Sequence, residues 1–290
     1  MTPDNSQPLK PEEIKPVHNI TEIATIFTQC LANTLQERAS INSKSLVESN
    51  WPLSGIKNNP RILTNGFVPH LGYHGLAMFP ALLIRERIKK DTPSFLVSLA
   101  TTTIESTVGV PLEVMGLEKV LKDNLGVDIS KRRWDIASRV FCPFYVRNYL
   151  AWMVFNDPSE NMTKRAAMGG VAGLVSSIPD TIGNFVMKYG PELSISESYI
   201  KAAKEAAALS YGNLGRSLAL RSASGAVSAL IFSPKVQKIL IETFDPLVQA
   251  ADQQINEFVN NSLSKKPATQ AQKPSAQLVT KEGKEKEGRG

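Results

Sequence analysis

A chain of 290 residues with a formal net charge of +6 has room for one large domain or two small ones. Most of that charge lies after Asn261, where Lys and Arg outnumber Glu, so the body is near neutral. That argues against nucleic acid as a partner, which needs a basic folded face. Cys30 and Cys142 are the only cysteines, too few for a disulfide framework or a cysteine zinc site, and both read as small buried hydrophobes.

The first residues, "MTPDNSQPLKPEEIKPVHNI", form a polar, proline-rich segment over 1–18, with neither the apolar core of a signal peptide nor an Arg-rich presequence. Six long apolar segments follow, near 19–37, 64–88, 93–116, 134–156, 164–188 and 214–241, while alternating strand patterns are scarce. The first contains "ATIFTQCLANTLQER". The second, Gly66 to Ile84, has no Asp, Glu, Lys or Arg and is long enough to cross hydrocarbon. Its Pro69 and Pro80 suit a membrane helix better than a buried core helix.

The remaining segments each carry charge. The third holds Glu105 and Glu113 on either side of Pro111, the fourth Arg139 and Arg147, the fifth Pro179 and Asp180, and the sixth Arg216 and Arg221. A charge at membrane depth faces a partner or a wet cavity, so helices with one or two charges each predict a bundle around a polar interior. Residues 246–290 read as an amphipathic, then disordered, basic tail, rich in Lys, Gln, Pro and Gly. Its composition fits a sorting address or a flexible end equally.

The apolar segments repeat. "GGVAGLVSSIPDTIGNFVMK" aligns with "TTTIESTVGVPLEVMGLEKV" when Pro179 is set on Pro111, and Cys30 takes the proline place in the first segment. Polar linkers with glycines, "NPRILTNGFVP" and "KAAKEAAALSYGNLGRSLALR", lead into the next helix. In this threefold pattern the chain resembles the mitochondrial carrier family over roughly residues 19–245. The resemblance implies an all-α membrane protein with six transmembrane helices in three pseudo-threefold tandem repeats (19–90, 91–160 and 161–245). It also implies a proline-centred gate at Pro111, Glu113, Pro179 and Asp180.

The family's Pro-x-[Asp/Glu]-x-x-[Lys/Arg] is incomplete here. Gly116 and Asn184 stand at the base positions, and Cys30, Ala32 and Leu35 match nothing in the first repeat, so these positions cannot assemble the salt-bridge ring. At the opposite gate Phe155 and Phe232 keep the family's aromatic, while Asn156 and Ser233 replace its acid.

By the same resemblance, substrate contacts fall at Arg221, at Tyr73 and His74, and at Arg139 and Arg147. An arginine in a low-dielectric cavity grips a carboxylate or phosphate through parallel hydrogen bonds. Two other readings stand beside this one: Arg147 and Arg221 pair with Glu105, Glu113 or Asp180 in a closed bundle, and Arg139 and Arg216 snorkel at helix ends. His70 and His74 have metal-ligand spacing, but no third ligand stands nearby in sequence, so packing or substrate contact is expected and no metal or cofactor. There is no phosphate-binding loop, dinucleotide fingerprint or nucleophile elbow, and no enzyme is expected.

The sequence thus predicts a monomeric carrier in a lipid bilayer that moves a small anionic solute, a nucleotide or carboxylate, by alternating access across the mitochondrial inner membrane. The alternative is a transport-inactive carrier-like scaffold, or an insertion or fusion factor of the outer membrane. A soluble helical protein is a third possibility.

Overall fold

The computed structural model describes residues 20–48, 66–190, 192–209 and 211–264. The polar segment 1–18 and the tail beyond residue 264 lie outside the described residues. The described residues form helices and no strand: α1 (Ile20–Glu48), α2 (Phe67–Ile88), α3 (Ser94–Leu125), α4 (Arg133–Phe155), α5 (Met162–Tyr189), α6 (Ile195–Ala208), α7 (Tyr211–Ile231) and α8 (Pro234–Ser264).

Five of the expected segments match one helix each, with α1 running on to Glu48. The sixth does not. It breaks at Phe232–Ser233, where the Ser233 hydroxyl accepts from the Val236 N–H and Pro234 opens a new helix at its first position, which needs no N–H donor. α8 then continues through the first part of the expected tail. Residues up to Val248 form one compact unit. Residues 249–260 belong to another, helical and exposed at every side chain. Cys30 is buried as expected, whereas Cys142 is exposed on α4.

Helix order and helix packing agree. α1 packs on α2, α2 on α3, α3 on α4, α4 on α5 and α5 on α7, and α7 returns to α1. Six helices therefore close a ring, with α6 leaning on α5. α6 starts at a capping box: Ser194 accepts from the Glu197 N–H while the Glu197 side chain reaches back to Ser194. These bonds to Ser194 hold the Glu197 carboxyl below the usual carboxylate range.

The ring is polar inside and apolar outside. On α1 the inward face carries Thr25, Gln29, Asn33, Thr34 and Arg38, while Phe27, Leu31 and Leu35 are exposed. On α3, Ser98, Thr101, Thr102, Glu105, Ser106 and Glu113 are buried, and Leu96, Leu99, Val108 and Met115 are exposed. α5 repeats the arrangement with Ser176, Ser177 and Asp180 inside and Val171, Leu174, Val175 and Ile178 outside. Among the described residues, buried polar and charged side chains outnumber buried apolar ones. That reverses the usual ranking of which residues lie inside. α2 and α3 are also long and apolar enough to cross a membrane.

The prolines sit inside the helices. α3 runs through Pro111 and α5 through Pro179. In α2 a π turn at His74–Met78 comes just before Pro80. A proline cannot donate to the carbonyl four residues back and its ring crowds that group, and a widened turn relieves both problems. The inward face nevertheless stays continuous across the π turn: His70, Tyr73, His74, Ala77, Met78, Ala81, Leu82 and Arg85 are buried at helical spacing.

The tightest helix contact uses glycine. A Cβ on Gly169 would lie 2.4 Å from the Gly225 carbonyl oxygen, and one on Gly173 would lie 2.4 Å from that of Arg221. Gly169 and Gly173 form a Gly-x-x-x-Gly face on α5 that lets the α7 backbone approach closely. Gly215 on α7 has open space around it. We therefore expect Gly173→Leu to cost about 1–3 kcal/mol or more by overpacking, and Gly215→Ala to be neutral or to stabilise by about 0.5–1 kcal/mol. Thermal unfolding of the detergent-solubilised chain measures both.

Candidate functional site

The ring encloses a small polar cavity. Its wall draws on α1 (Asn33, Glu37), α2 (Tyr73, Met78), α3 (Glu105), α4 (Asn148, Ala151, Val154, Phe155), α5 (Gly169, Ala172, Gly173, Ser176) and α7 (Arg221, Ser224, Gly225, Ser228). It offers about 50 Å³ to water, enough for a few ordered molecules.

One end is plugged by apolar side chains. Ile26, Cys30, Met78, Leu82, Trp152, Phe155 and Phe232 pack together, with the Phe155 and Phe232 ring centroids 4.9 Å apart. Arginines tie off the helix ends around this plug. Arg85 donates to the Phe155 carbonyl at 2.6 Å and to Asn156 Oδ1 at 2.7 Å. Arg165 donates to the carbonyls of Ala229 and Phe232, each at 3.2 Å, and to that of Asp157. The even-helix ends thus keep the expected aromatics. Where acids were missing, guanidinium groups satisfy the terminal carbonyls that a helix leaves without partners.

The other end is closed by ions. Arg147 on α4 donates from both terminal nitrogens to Glu113 on α3, at 2.6 and 2.5 Å, and from one of them to Asp180 on α5 at 2.9 Å. Its remaining donors go to Asn148 Oδ1 at 3.0 and 2.9 Å. All five guanidinium donors are therefore used. Lys44 on α1 reaches Asp180 at 2.9 Å and Thr181 at 3.1 Å. Arg38 donates to the Gly116 carbonyl at 3.0 Å. Four helices meet in one buried network.

This geometry bears on three expectations. The acids Glu113 and Asp180 do find bases, but from Lys44 and Arg147 rather than from the vacant motif positions. Of the two roles read for Arg147, the structure shows the pairing with Glu113 and Asp180, with every donor used. Cys30, aligned with Pro111 and Pro179 in the sequence, lies in the apolar plug, whereas Glu113 and Asp180 lie in the ion network. Ile20 to Glu37, Ser94 to Pro111 and Met162 to Pro179 are equal steps along the chain.

Arg139 also leaves the site. It pairs with Asp135 at 3.0 Å and donates to the Leu193 carbonyl at 2.7 Å, fastening α4 to the segment before α6. Tyr73 does line the cavity, where it and the Trp152 indole N–H both donate to Glu105. His74 does not line it; its Nε2 lies 3.2 Å from Glu37 Oε2, which does. Arg221 is the cationic side chain of the wall. Its Nη1 stands 4.0 Å from Glu37 and its buried Nε has no hydrogen-bond partner among the described residues. Pro111 and Pro179 are half-buried, one turn or less from the network acids.

Glu37 and Lys44 were missed in the sequence, although a signal was present. Asn33, Glu37, Asn42 and Lys44 continue the polar face of α1 past the point where the apolar segment ends. No family model, no curated protein and no solved structure matches this chain.

Removing one partner of a buried pair strands the other, at about 3–5 kcal/mol. Arg147→Met should therefore lower stability by about that much, and by more than Arg139→Met, whose bonds are worth about 1 kcal/mol each. Paired thermal melts in detergent check the order.

Proposed function

We propose that this chain is a membrane solute carrier of the mitochondrial-carrier type. In this reading α1, α2, α3, α4, α5 and α7 cross the bilayer as three tandem hairpins, and α6 lies outside the span. A small organic anion is moved by alternating access. The observation that carries the reading is a polar cavity closed at opposite ends by two different devices, an apolar plug and an ion network.

Several features support it. The apolar exterior and polar interior suit a lipid solvent, where internal polar groups must satisfy one another. Ring closure in chain order and the equal placement of Glu37, Pro111 and Pro179 fit a threefold repeat. Arg221 is the substrate anchor of this proposal: a buried guanidinium with an unused donor, aimed at the cavity, offers a carboxylate a charge-assisted bond. Opening the ionic end requires Arg147 to release Glu113 and Asp180. The bound solute must favour that open state by its differential affinity. The inner mitochondrial membrane is the proposed location, by resemblance alone.

The saturation of Arg147 favours one second reading. A bundle locked by three inter-helix hydrogen bonds at one guanidinium would serve as a transport-inactive scaffold in the outer membrane. Uptake separates the two. Purified chain in liposomes should accumulate labelled dicarboxylate or nucleotide, and Arg221→Ala should lower the rate at least tenfold while Gly215→Ala keeps it. Absence of uptake by folded protein supports the scaffold. In carbonate extraction the chain should stay with the membrane pellet, and release to the supernatant would overturn both membrane readings.

A further inference from the structure

We propose that Glu37, His70 and His74 form a binding site for a borderline divalent transition cation, with zinc the cation expected. The three side chains converge from two helices. One ligand atom from each lies within 4.8 Å of the other two. Glu37 Oε2 is 3.2 Å from His74 Nε2 and 3.9 Å from His70 Nε2. Ligands of a tetrahedral zinc, at bonds of about 2.0–2.1 Å, stand about 3.3 Å apart. The histidine–glutamate spacing already approaches that value, and small ring rotations bring in the remainder.

The second observation is the state of the imidazoles. Both are buried at 1 % exposure. His74 Nε2 faces Glu37 at 3.2 Å without a well-aligned hydrogen bond, and the other three ring nitrogens have no hydrogen-bond partner among the described residues. Buried polar atoms are nearly always satisfied, and an exception calls for an unseen water or ion. Here two unsatisfied rings sit beside a carboxylate that the sequence places far away, which is why spacing alone gave no third ligand. Histidines four apart on one helix face present two ligands to one ion. The π turn that begins at His74 widens the helix at this point, as π turns often do at functional sites.

The donor set selects the ion class. Two neutral imidazoles and one carboxylate suit zinc and its neighbours and are a poor match for magnesium or calcium, which prefer all-oxygen shells. Three protein ligands leave a fourth position open. Glu37 also belongs to the cavity wall, where Arg221 stands 4.0 Å from its carboxylate. Once Glu37 is committed to the metal, Arg221 is released from it. Metal and guanidinium together then present two positive groups to an anionic fourth ligand.

The test uses full-length protein purified in detergent and stripped with chelator. Equilibrium dialysis against Zn²⁺ should give one tightly bound ion per chain. His70→Ala, His74→Ala and Glu37→Gln should each weaken binding at least about tenfold, whereas His18→Ala, which changes the chain's third histidine, should not. X-ray absorption on the wild-type zinc complex reads the site without any variant: a nitrogen and oxygen shell with scattering from two imidazoles is expected. No bound zinc, zinc retained when both helix histidines are replaced, or sulfur in the shell would overturn the proposal. Binding is measured without transport, so its outcome is separate from that of the carrier reading.

Discussion

Arg147 bears on nearly every other feature of this bundle. Its guanidinium is buried, it sits where four helices converge, and each of its donors is taken by Glu113, Asp180 or Asn148. A charge in such surroundings is tolerated only with this kind of full pairing. The carboxylates depend on the arginine in turn, and Asp180 depends on Lys44 as well. Removing any one member leaves another without its partner. The network therefore fixes the register of α3, α4 and α5 against one another and draws the end of α1 across them. That is specificity more than stability: apolar side chains of equal volume would hold the helices as firmly, but would let them slide.

The cavity follows from the same arrangement. Between the ion network and the aromatic plug, the wall combines small and neutral polar residues with Glu37, Glu105 and Arg221. Gly169, Gly173 and Gly225 bring α5 and α7 into backbone contact, and the serines of α5 and α7 line the wall without filling it. The result is a space too small for an organic solute while both ends stay closed. The two ends are held differently: the plug by apolar contact, and the network across helices by three bonds from Arg147 and by Lys44 on Asp180.

The sequence revealed the helices well and the register poorly, for a physical reason. Long apolar segments report the exposed apolar faces, so the expected ends of α2, α4 and α5 matched to within a few residues, whereas α3 runs on to Leu125, well past its apolar segment. Where the outer face turns polar, as in α1 beyond residue 37, hydropathy stops reporting although the helix continues. Lys44 lies in that stretch, and Glu37 stands at the last position of the apolar segment. The choice of Cys30 as a proline counterpart came from matching small apolar residues, which occur on every turn of such helices and set no register. The acids were recognised because a carboxylate beside a proline in an apolar run stands out, and Arg147 was among the bases read as pairing with them; Lys44 was not, because it lies beyond the apolar segment of α1.

Glu37 joins these strands of the structure. It lies on α1, which has no proline inside it, whereas α3 and α5 carry Pro111 and Pro179. Its carboxylate faces Arg221 on one side and the paired histidines on the other, and Asn33 donates to it at 3.0 Å. A carboxylate with competing partners is a switch element, since whatever takes it from one partner frees that partner for something else. Arg147, with its bonds complete, holds the bundle shut, while Glu37, with its bonds shared and long, is where a ligand can change the balance of charge inside. The ring is thus tied by fully paired charges at its ionic end and by longer, shared contacts at Glu37.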